Sequence, residues 1–166
     1  PNITKLWWDV DKAAKKAIEE KTTVCLQHGI KFIYDPGVLF IQLPSERKLS
    51  YIRPKIEMGK FDKPIITYEG MEQTSKQWTT LETYGPKLVE NIVQAVARDC
   101  LAEAMFKVTK AGYDIVMHVH DEIIMDVPKD FGSVDEVNKI FGESIGWAPG
   151  LPLGADGYEC SYYMKD

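Results

Sequence analysis

The chain has 166 residues and a mass of 18.9 kDa, which is enough for one domain with a buried core, or for part of a larger one. Hydrophobic residues make up 45% and charged residues 27%, which excludes wholesale disorder, and no apolar run approaches the roughly 20 residues that a membrane-spanning helix needs. The net charge of −5 excludes a bulk nucleic-acid binder of the high-pI kind, although residues 1–63 carry 12 Lys/Arg against 8 Asp/Glu and residues 64–166 carry 8 against 17.

The first third of the chain predicts a helix followed by a β-meander. Apolar residues recur at helical spacing over residues 4 to about 27, and His28-Gly29 supplies a stop signal. Two strands, 30–34 and 38–43, are then joined by the turn tripeptide Asp35-Pro36-Gly37. A third strand at 48–52 completes a three-stranded meander.

The next segment predicts irregular structure and then a long helix. Residues 57–80 are mixed and polar, with Gly59, Pro64 and Gly70 as breakers, and we expect no regular structure there. The helix begins near Gly85-Pro86, where proline suits the first helical position, and runs to Lys110. One side of this helix carries a polar stripe at spacings of four, three and four residues: Lys87, Asn91, Gln94 and Arg98.

The last third predicts a hairpin and a short helix. Strands at 113–119 and 122–127 flank a tight turn at His120-Asp121. Ser133 and Glu136 form a capping box that opens the last helix. The tail from Trp147 is rich in glycine and proline.

Asp121 and Glu122 are the strongest candidates for catalytic residues, because the two apolar strands that flank them would hold their carboxylates rigidly. Adjacent carboxylates repel each other unless a cation lies beside them, which suits Mg²⁺. Asp121 is equally explained as an ordinary turn former. A third interpretation is a zinc site, since His118 and His120 are two apart on a strand and would join Asp121 as ligands.

The polar stripe also has two interpretations. It is either a solvated helix face or a nucleic-acid contact, in which Asn91 and Gln94 read minor-groove acceptors while Lys87 and Arg98 bind phosphates.

The order of these motifs resembles the C-terminal part of family A DNA polymerases, the bacterial polymerase I and phage lineage. Residues 119–122, Val-His-Asp-Glu, look like the hairpin whose aspartate binds the catalytic metals. Residues 93–99, Val-Gln-Ala-Val-Ala-Arg-Asp, are similar to the Gln-Gly-Thr-Ala-Ala-Asp helix, whose glutamine contacts the DNA minor groove. Residues 43–49, Leu-Pro-Ser-Glu-Arg-Lys-Leu, look like the Gly-Arg-Arg turn that precedes this helix.

The chain departs from the family pattern in several places. Glu46 replaces the glycine of the turn, and Glu90 stands where the family has an asparagine, with Asn91 one residue along. The Asp-x-x-x-x-Glu-x-Arg segment with the other metal-binding aspartate is missing, as is the Arg-x-x-x-Lys…Tyr-Gly helix that grips the nucleotide. Pro1 is not a methionine and no signal peptide follows it. We therefore expect a piece of a polymerase that begins after its nucleotide-binding helix.

The resemblance implies a two-metal mechanism. Two Mg²⁺ ions ~4 Å apart would activate the primer 3′ hydroxyl and stabilise the pyrophosphate leaving group of the dNTP. Asp121 would be the metal ligand, with Glu122 as a weaker one. His120 would contact the primer terminus and Gln94 the minor groove, while Lys87, Arg47 and Lys48 would hold phosphates of the primer-template DNA. The chain contains one of the family's two metal-binding aspartate segments, so the isolated chain is expected not to extend primers.

The fold implied is α+β, a small antiparallel sheet carrying the metal hairpin, with helices packed on one face as in a polymerase palm. Residues 1–80 would lead from the fingers side, and residues 81–166 would form the palm part. The three cysteines are odd in number, far apart and never in a Cys-x-x-Cys pair, which favours a reducing cytoplasm. An exposed apolar face in a fragment favours self-association. The alternatives are a DNA-binding module without catalysis and a metal hydrolase using His118, His120 and Asp121.

Overall fold

The computed structural model describes residues 2–60 and 62–163. These residues form an α+β structure, as predicted. The helices are α1 (Asn2–Glu20), α2 (Gly85–Lys110) and α3 (Val134–Phe141). The strands are β1 (Thr23–Cys25), β2 (Lys31–Asp35), β3 (Val38–Gln42), β4 (Lys48–Met58), β5 (Pro64–Met71), β6 (Trp78–Thr83), β7 (Ile115–Val119) and β8 (Glu122–Met125).

The chain divides into two compact units, Pro1–Val96 and Ala97–Asp166, and α2 contributes its first half to one and its second half to the other. The division predicted from the sequence is a different one: it assigns residues 1–80 to the fingers side and residues 81–166 to the palm of a whole polymerase. That assignment stays a prediction. No described helix is long and apolar enough to cross a membrane.

The first unit contains a six-stranded antiparallel meander in which β1 to β6 lie in sequence order. The predicted strands at 30–34, 38–43 and 48–52 are confirmed as β2, β3 and the first part of β4. The expectation that residues 57–80 are irregular is wrong, because β4 continues to Met58 and β5 and β6 follow. The meander is therefore twice as wide as predicted.

The glycines and proline of this segment fit the strands instead of breaking them. Gly59 lies in the turn between β4 and β5, where its N–H donates to the Lys63 carbonyl, and Pro64 is the first residue of β5. Gly70 lies within β5, and the ring of Tyr68 and the side chain of Leu81 occupy the space beside it. β-branched and aromatic residues, which favour pleated structure, occupy eight of the twelve remaining positions of β5 and β6.

Helix α1 is shorter than predicted, since it ends at Glu20 and not near Gln27. Lys21 adopts a left-handed backbone with a φ of +50°, which ends the helix. Thr22, Thr23 and Val24 are β-branched, and the last two belong to β1. His28 and Gly29, read as the helix stop, form a short 3-10 turn between β1 and β2.

The core of the first unit lies between one face of the sheet, α1 and the start of α2. Helix α1 buries a stripe at helical spacing, formed by Val10, Ala13, Ala14 and Ala17. This stripe belongs to one cluster with sheet residues such as Phe32 and with Leu88 of α2. Trp7 packs against this cluster, whereas the adjacent Trp8 is 64% exposed.

A carboxylate of α1 holds the first turn of α2. Asp11 Oδ1 accepts a hydrogen bond from the Gly85 N–H at 3.1 Å, and Asp11 Oδ2 is 2.6 Å from Lys15 Nζ. The helices approach so closely that a β-carbon at position 85 would lie 2.3 Å from the Trp7 carbonyl oxygen. Asp11 thus satisfies an N–H that α2 cannot satisfy internally, and glycine is the residue that fits at position 85.

The second unit contains the later turns of α2, the hairpin β7–β8 and α3. The hairpin forms its own two-stranded sheet, so the expectation that one small sheet carries the metal hairpin is corrected. One face of the hairpin packs on Val108 of α2, Tyr113 and Val137 of α3. The predicted end of α2 at Lys110 is confirmed, with Gly112 at a φ of +97° just beyond it.

Helix α3 begins at the predicted cap, since Ser133 Oγ accepts from the Glu136 N–H at 3.2 Å. The Glu136 carboxylate accepts from the Tyr113 hydroxyl at 2.6 Å, and this hydrogen bond raises the pKa of Tyr113. The Ser133 N–H donates to the same hydroxyl. The cap of α3 is thereby fixed to the residue that leads into the hairpin.

The cysteines Cys25, Cys100 and Cys160 are free, as predicted. Apolar side chains stay exposed in both units, including Ile3 at 67% and Phe106 at 70%, and self-association stays a prediction.

Thr83 is the buried polar side chain whose hydroxyl has no hydrogen-bond partner among the described residues. Burying an unpaired hydroxyl is unfavourable. We expect Thr83→Val, which keeps the shape, to raise the free energy of unfolding by about 1 kcal/mol in urea titrations.

Thr67 is the matched control, because it is equally buried but donates to Glu57 Oε2 at 3.1 Å. Thr67→Val should lower stability by about 1 kcal/mol. A loss of stability in both variants would mean that the Thr83 hydroxyl is also satisfied.

Candidate functional site

The hairpin turn presents the candidate carboxylates. Val119 pairs with Glu122, so His120 and Asp121 form a two-residue turn. His120 has a φ of +53°, a left-handed conformation that is uncommon outside glycine. Such backbone positions are costly and occur often at functional sites.

The carboxylates of Asp121 and Glu122 are exposed. In the part of the chain that the structure describes, neither makes a hydrogen bond or ion pair with another side chain. Their oxygens are of the type that Mg²⁺ prefers, and Mg²⁺ sites often use one or two protein carboxylates together with water and substrate phosphates. Magnesium binding by Asp121 and Glu122 stays a prediction, because it would need further ligands from elsewhere.

The zinc interpretation of His118, His120 and Asp121 is wrong. It required both histidines to lie on one strand, but β7 ends at Val119 and His120 belongs to the turn. Within residues 2–60 and 62–163, no three His, Cys, Asp or Glu side chains come together as a group that could hold a metal ion.

A β-bulge decides which side chains of β7 face α2. Ile115 pairs with Met125 and Met117 with Ile124, which leaves Val116 as an extra residue. The bulge places Ile115 and His118 on the same face as Ile123 and Met125. Val119 and Glu122 lie on the opposite face.

Arg98 of α2 lies against His118. Its two terminal nitrogens are each 3.4 Å from a ring nitrogen, Nη1 from Nδ1 and Nη2 from Nε2. Both side chains are exposed. The structure thus brings one predicted DNA-binding residue onto the hairpin that carries Asp121.

The stripe residues of the first unit lie in different environments. Asn91 is half-buried, and its Nδ2 donates to the Tyr51 hydroxyl at 2.9 Å. Burial raises the pKa of Tyr51, and the hydrogen bond from Asn91 opposes this shift. Gln94 is exposed and donates to Glu90 Oε1 at 3.3 Å, while Lys87 is exposed.

The turn between β3 and β4 contacts the same helix. Arg47 Nη2 donates to the Ala95 carbonyl at 2.8 Å, next to Gln94. The turn needs a left-handed residue, and Glu46 adopts a φ of +68°. Lys48 lies elsewhere, since its ammonium is 5.5 Å from the centre of the Phe40 ring, on the sheet face that points away from the core.

Two residues that position the candidate side chains were not identified from the sequence. Tyr51 holds Asn91, and the alternation of β4 could have indicated that Leu49 and Tyr51 face the helices. Val116 re-aims His118, and no pattern in the sequence marks that bulge.

One comparison with known proteins gives a strong match. The chain is 54% identical over 165 residues to a protein named DNA polymerase from Bacillus phage SP02. The match covers 99% of this chain and 25% of the relative, so the chain spans about a quarter of the length of that protein. No protein-family model and no solved structure matches the chain.

Proposed function

We propose that this chain is part of a template-directed DNA polymerase that transfers nucleotides from dNTPs to a primer 3′ end. The observation that carries the proposal is the 54% identity to the phage protein named DNA polymerase, which extends over 99% of the chain. We assign it to the palm of a family A enzyme, because its hairpin, helix and turn motifs occur in the order of that family. A cytoplasmic location follows from a role in DNA replication.

The geometry of Glu46 adds support for the family assignment. Its φ of +68° is the conformation that glycine adopts most easily. Glycine is the residue that stands at this place in the family's Gly-Arg-Arg turn. A left-handed backbone at Glu46 is what we expect at a position that aligns with a glycine.

Asp121 and Glu122 are proposed to hold catalytic Mg²⁺, Asp121 as the principal ligand. When bound, the metal ions would lower the pKa of the primer 3′ hydroxyl and stabilise the leaving pyrophosphate. His120 would contact the primer terminus from the turn. A further metal-binding carboxylate and the nucleotide-binding helix are proposed to lie in another part of the polymerase.

The primer-template DNA is proposed to lie along the outer surface of α2. Gln94 would contact minor-groove acceptors that every correct base pair presents, so it would test pair geometry and not sequence. Arg47, held at Ala95, would act beside Gln94. Lys87 and Arg98 would bind phosphates, and Asn91, held by Tyr51, would shape the helix surface near them. Lys48 lies on the sheet face that points away from the core, so phosphate binding by Lys48 at this surface stays a prediction that the fold does not favour.

The test is the effect of Asp121→Ala on binding of the chain to a fluorescent primer-template duplex, with and without Mg²⁺. We expect Mg²⁺ to tighten binding by the wild-type chain about tenfold, equivalent to about 1.4 kcal/mol, and Asp121→Ala to abolish that increase. Asp126→Ala is the matched control, because Asp126 is an exposed acid just after β8.

Two results would contradict the proposal. If Asp121→Ala binds DNA as the wild-type chain does in Mg²⁺, the chain is a DNA-binding module without metal chemistry. If the wild-type chain does not bind the duplex in any condition, the polymerase assignment of this surface is wrong.

A further inference from the structure

Arg98 and His118 form a contact that the proposed metal chemistry does not use. Both side chains are exposed, and both terminal nitrogens of the guanidinium lie 3.4 Å from the imidazole nitrogens. Contacts between exposed side chains often contribute little to stability, because ordering two long side chains costs entropy. The contact is therefore better explained by what it does to the position of Arg98 than by a gain in stability.

The backbone of the hairpin makes this contact possible. If β7 alternated regularly through Val116, with no bulge, Met117 and not His118 would lie on the same face as Ile115. The bulge reverses this order after Ile115, so His118 lies on the face that packs against α2 and reaches Arg98. β-bulges frequently re-aim side chains beside functional sites.

The chemistry of the pair suits an anion. The two imidazole nitrogens point in different directions, so one flat guanidinium cannot use both as ordinary in-plane acceptors, and most of its five N–H donors stay available. A guanidinium that is already held against a flat ring loses less freedom on binding than a free arginine side chain does. Arginine with its fork of donors is the residue type that recognises phosphate bidentately.

We propose that His118 is a positioning residue that holds Arg98 as a binding site for a phosphodiester of the DNA strand at the hairpin. This inference rests on the proposed polymerase function, in which Arg98 binds a phosphate, and adds the residue that holds Arg98 in position and the place of that phosphate beside the hairpin. His118 and Asp121 are three residues apart, so their Cα atoms are at most about 11 Å apart. A phosphate held at Arg98 is therefore expected close to the nucleotide that the turn contacts.

The test is a double-mutant cycle on duplex binding by the full 166-residue chain. Arg98→Ala should weaken binding about tenfold and reduce the slope of log affinity against log salt by about one. His118→Ala should weaken binding about threefold, and the double variant should bind like Arg98→Ala alone, because His118 acts through Arg98. Lys110→Ala, which removes an exposed charge from the last turn of α2, should leave the affinity within about twofold of wild type.

The source of the phosphate is distinguished by a second arm, in which a dNTP replaces the duplex as the labelled ligand. We expect no dNTP binding by the wild-type chain, because the nucleotide-binding helix is proposed to lie in another part of the polymerase. Binding of the dNTP that Arg98→Ala abolishes would overturn the assignment to a DNA phosphodiester. Urea titration distinguishes a positioning role of His118 from a role in stabilising the fold. His118→Ala should have the same free energy of unfolding as the wild-type chain.

Three results would overturn the inference. Additive effects of the two substitutions would mean that His118 does not act through Arg98. An unchanged affinity in Arg98→Ala, with normal binding by the wild-type chain, would reject the phosphate site and leave the polymerase proposal intact. Absence of duplex binding by the wild-type chain would reject both.

Discussion

Gly85→Ala is expected to destabilise the first unit by about 3 kcal/mol. A β-carbon at position 85 would lie 2.3 Å from the Trp7 carbonyl oxygen and 2.9 Å from Asp11 Cβ. The nearest atom belongs to the backbone of α1, so no change of side-chain rotamer relieves the overlap. The two helices must separate, and the hydrogen bond from Gly85 to Asp11 is lost with that movement.

Hydrogen exchange along the chain measures this effect where it occurs. Protection should fall in α1 and in the first turns of α2, and a urea titration should show the loss in stability. Gly146→Ala is the matched control, because nothing lies within 4 Å of a β-carbon there and its backbone needs no glycine. Equal stability of the two variants would mean that α1 and α2 are not packed at Gly85 as described.

Gly132→Ala is expected to destabilise the second unit by about 3 kcal/mol as well. Gly132 has a φ of +66°, and a β-carbon would lie 2.1 Å from the Tyr113 hydroxyl oxygen. The displaced tyrosine would lose its hydrogen bonds with Glu136 and Ser133, which fix the start of α3. Trp147, which donates to Glu103 Oε1, gives a fluorescence probe within the same unit.

A substitution at Gly150 separates the cost of the left-handed backbone from the cost of the overlap with Tyr113. Gly150 has a φ of +79° but nothing within 4 Å of a β-carbon, so Gly150→Ala measures the backbone cost alone, about 1 kcal/mol. Gly132→Ala combined with Tyr113→Ala should cost less than the sum of the two single substitutions, since the ring atoms that would lie 2.6 and 2.7 Å from the β-carbon are then gone with the hydroxyl. If Gly132→Ala costs no more than Gly150→Ala, Tyr113 does not occupy the described position.

Elements with strong local signals could be predicted from the sequence. Pro86 and Gly112 mark the two ends of α2, and the structure has this helix at Gly85–Lys110. Pro36-Gly37 joins β2 and β3, and Ser133 caps α3. In each case one residue type has a backbone or hydrogen-bonding property that few others share.

Strands β5 and β6 could not be predicted by the same reasoning. Pro64 and Gly70 indicate breaks when they are read locally, but the structure puts one at the start of β5 and the other beneath Tyr68. Whether such residues end a strand depends on the neighbouring strand, which the local pattern does not contain. Helix α1 was predicted too long because the apolar pattern continues into the β-branched residues of β1.

In the candidate site too, some features follow from local sequence patterns and others depend on residues far apart in the chain. The turn at His120-Asp121 and the helix that carries Gln94 and Arg98 follow from local patterns. The contacts of their side chains do not, because Arg98 meets His118 20 residues away and Asn91 meets Tyr51 40 residues away. The roles of Asp121 and Gln94 stay predictions until the binding experiments are done.

The hydrogen bond between Asp11 and Gly85 joins residues that are 74 positions apart in the chain. During synthesis on the ribosome, this bond cannot form until all the intervening residues have been added. At about 5–20 residues per second, roughly 4–15 s pass between the synthesis of Asp11 and that of Gly85. During that interval α1 and the strands exist without Leu88 and Ile92, which close their shared core. The nascent chain must therefore keep the alanine stripe of α1 from other partners for seconds, a period in which chaperones can act on it.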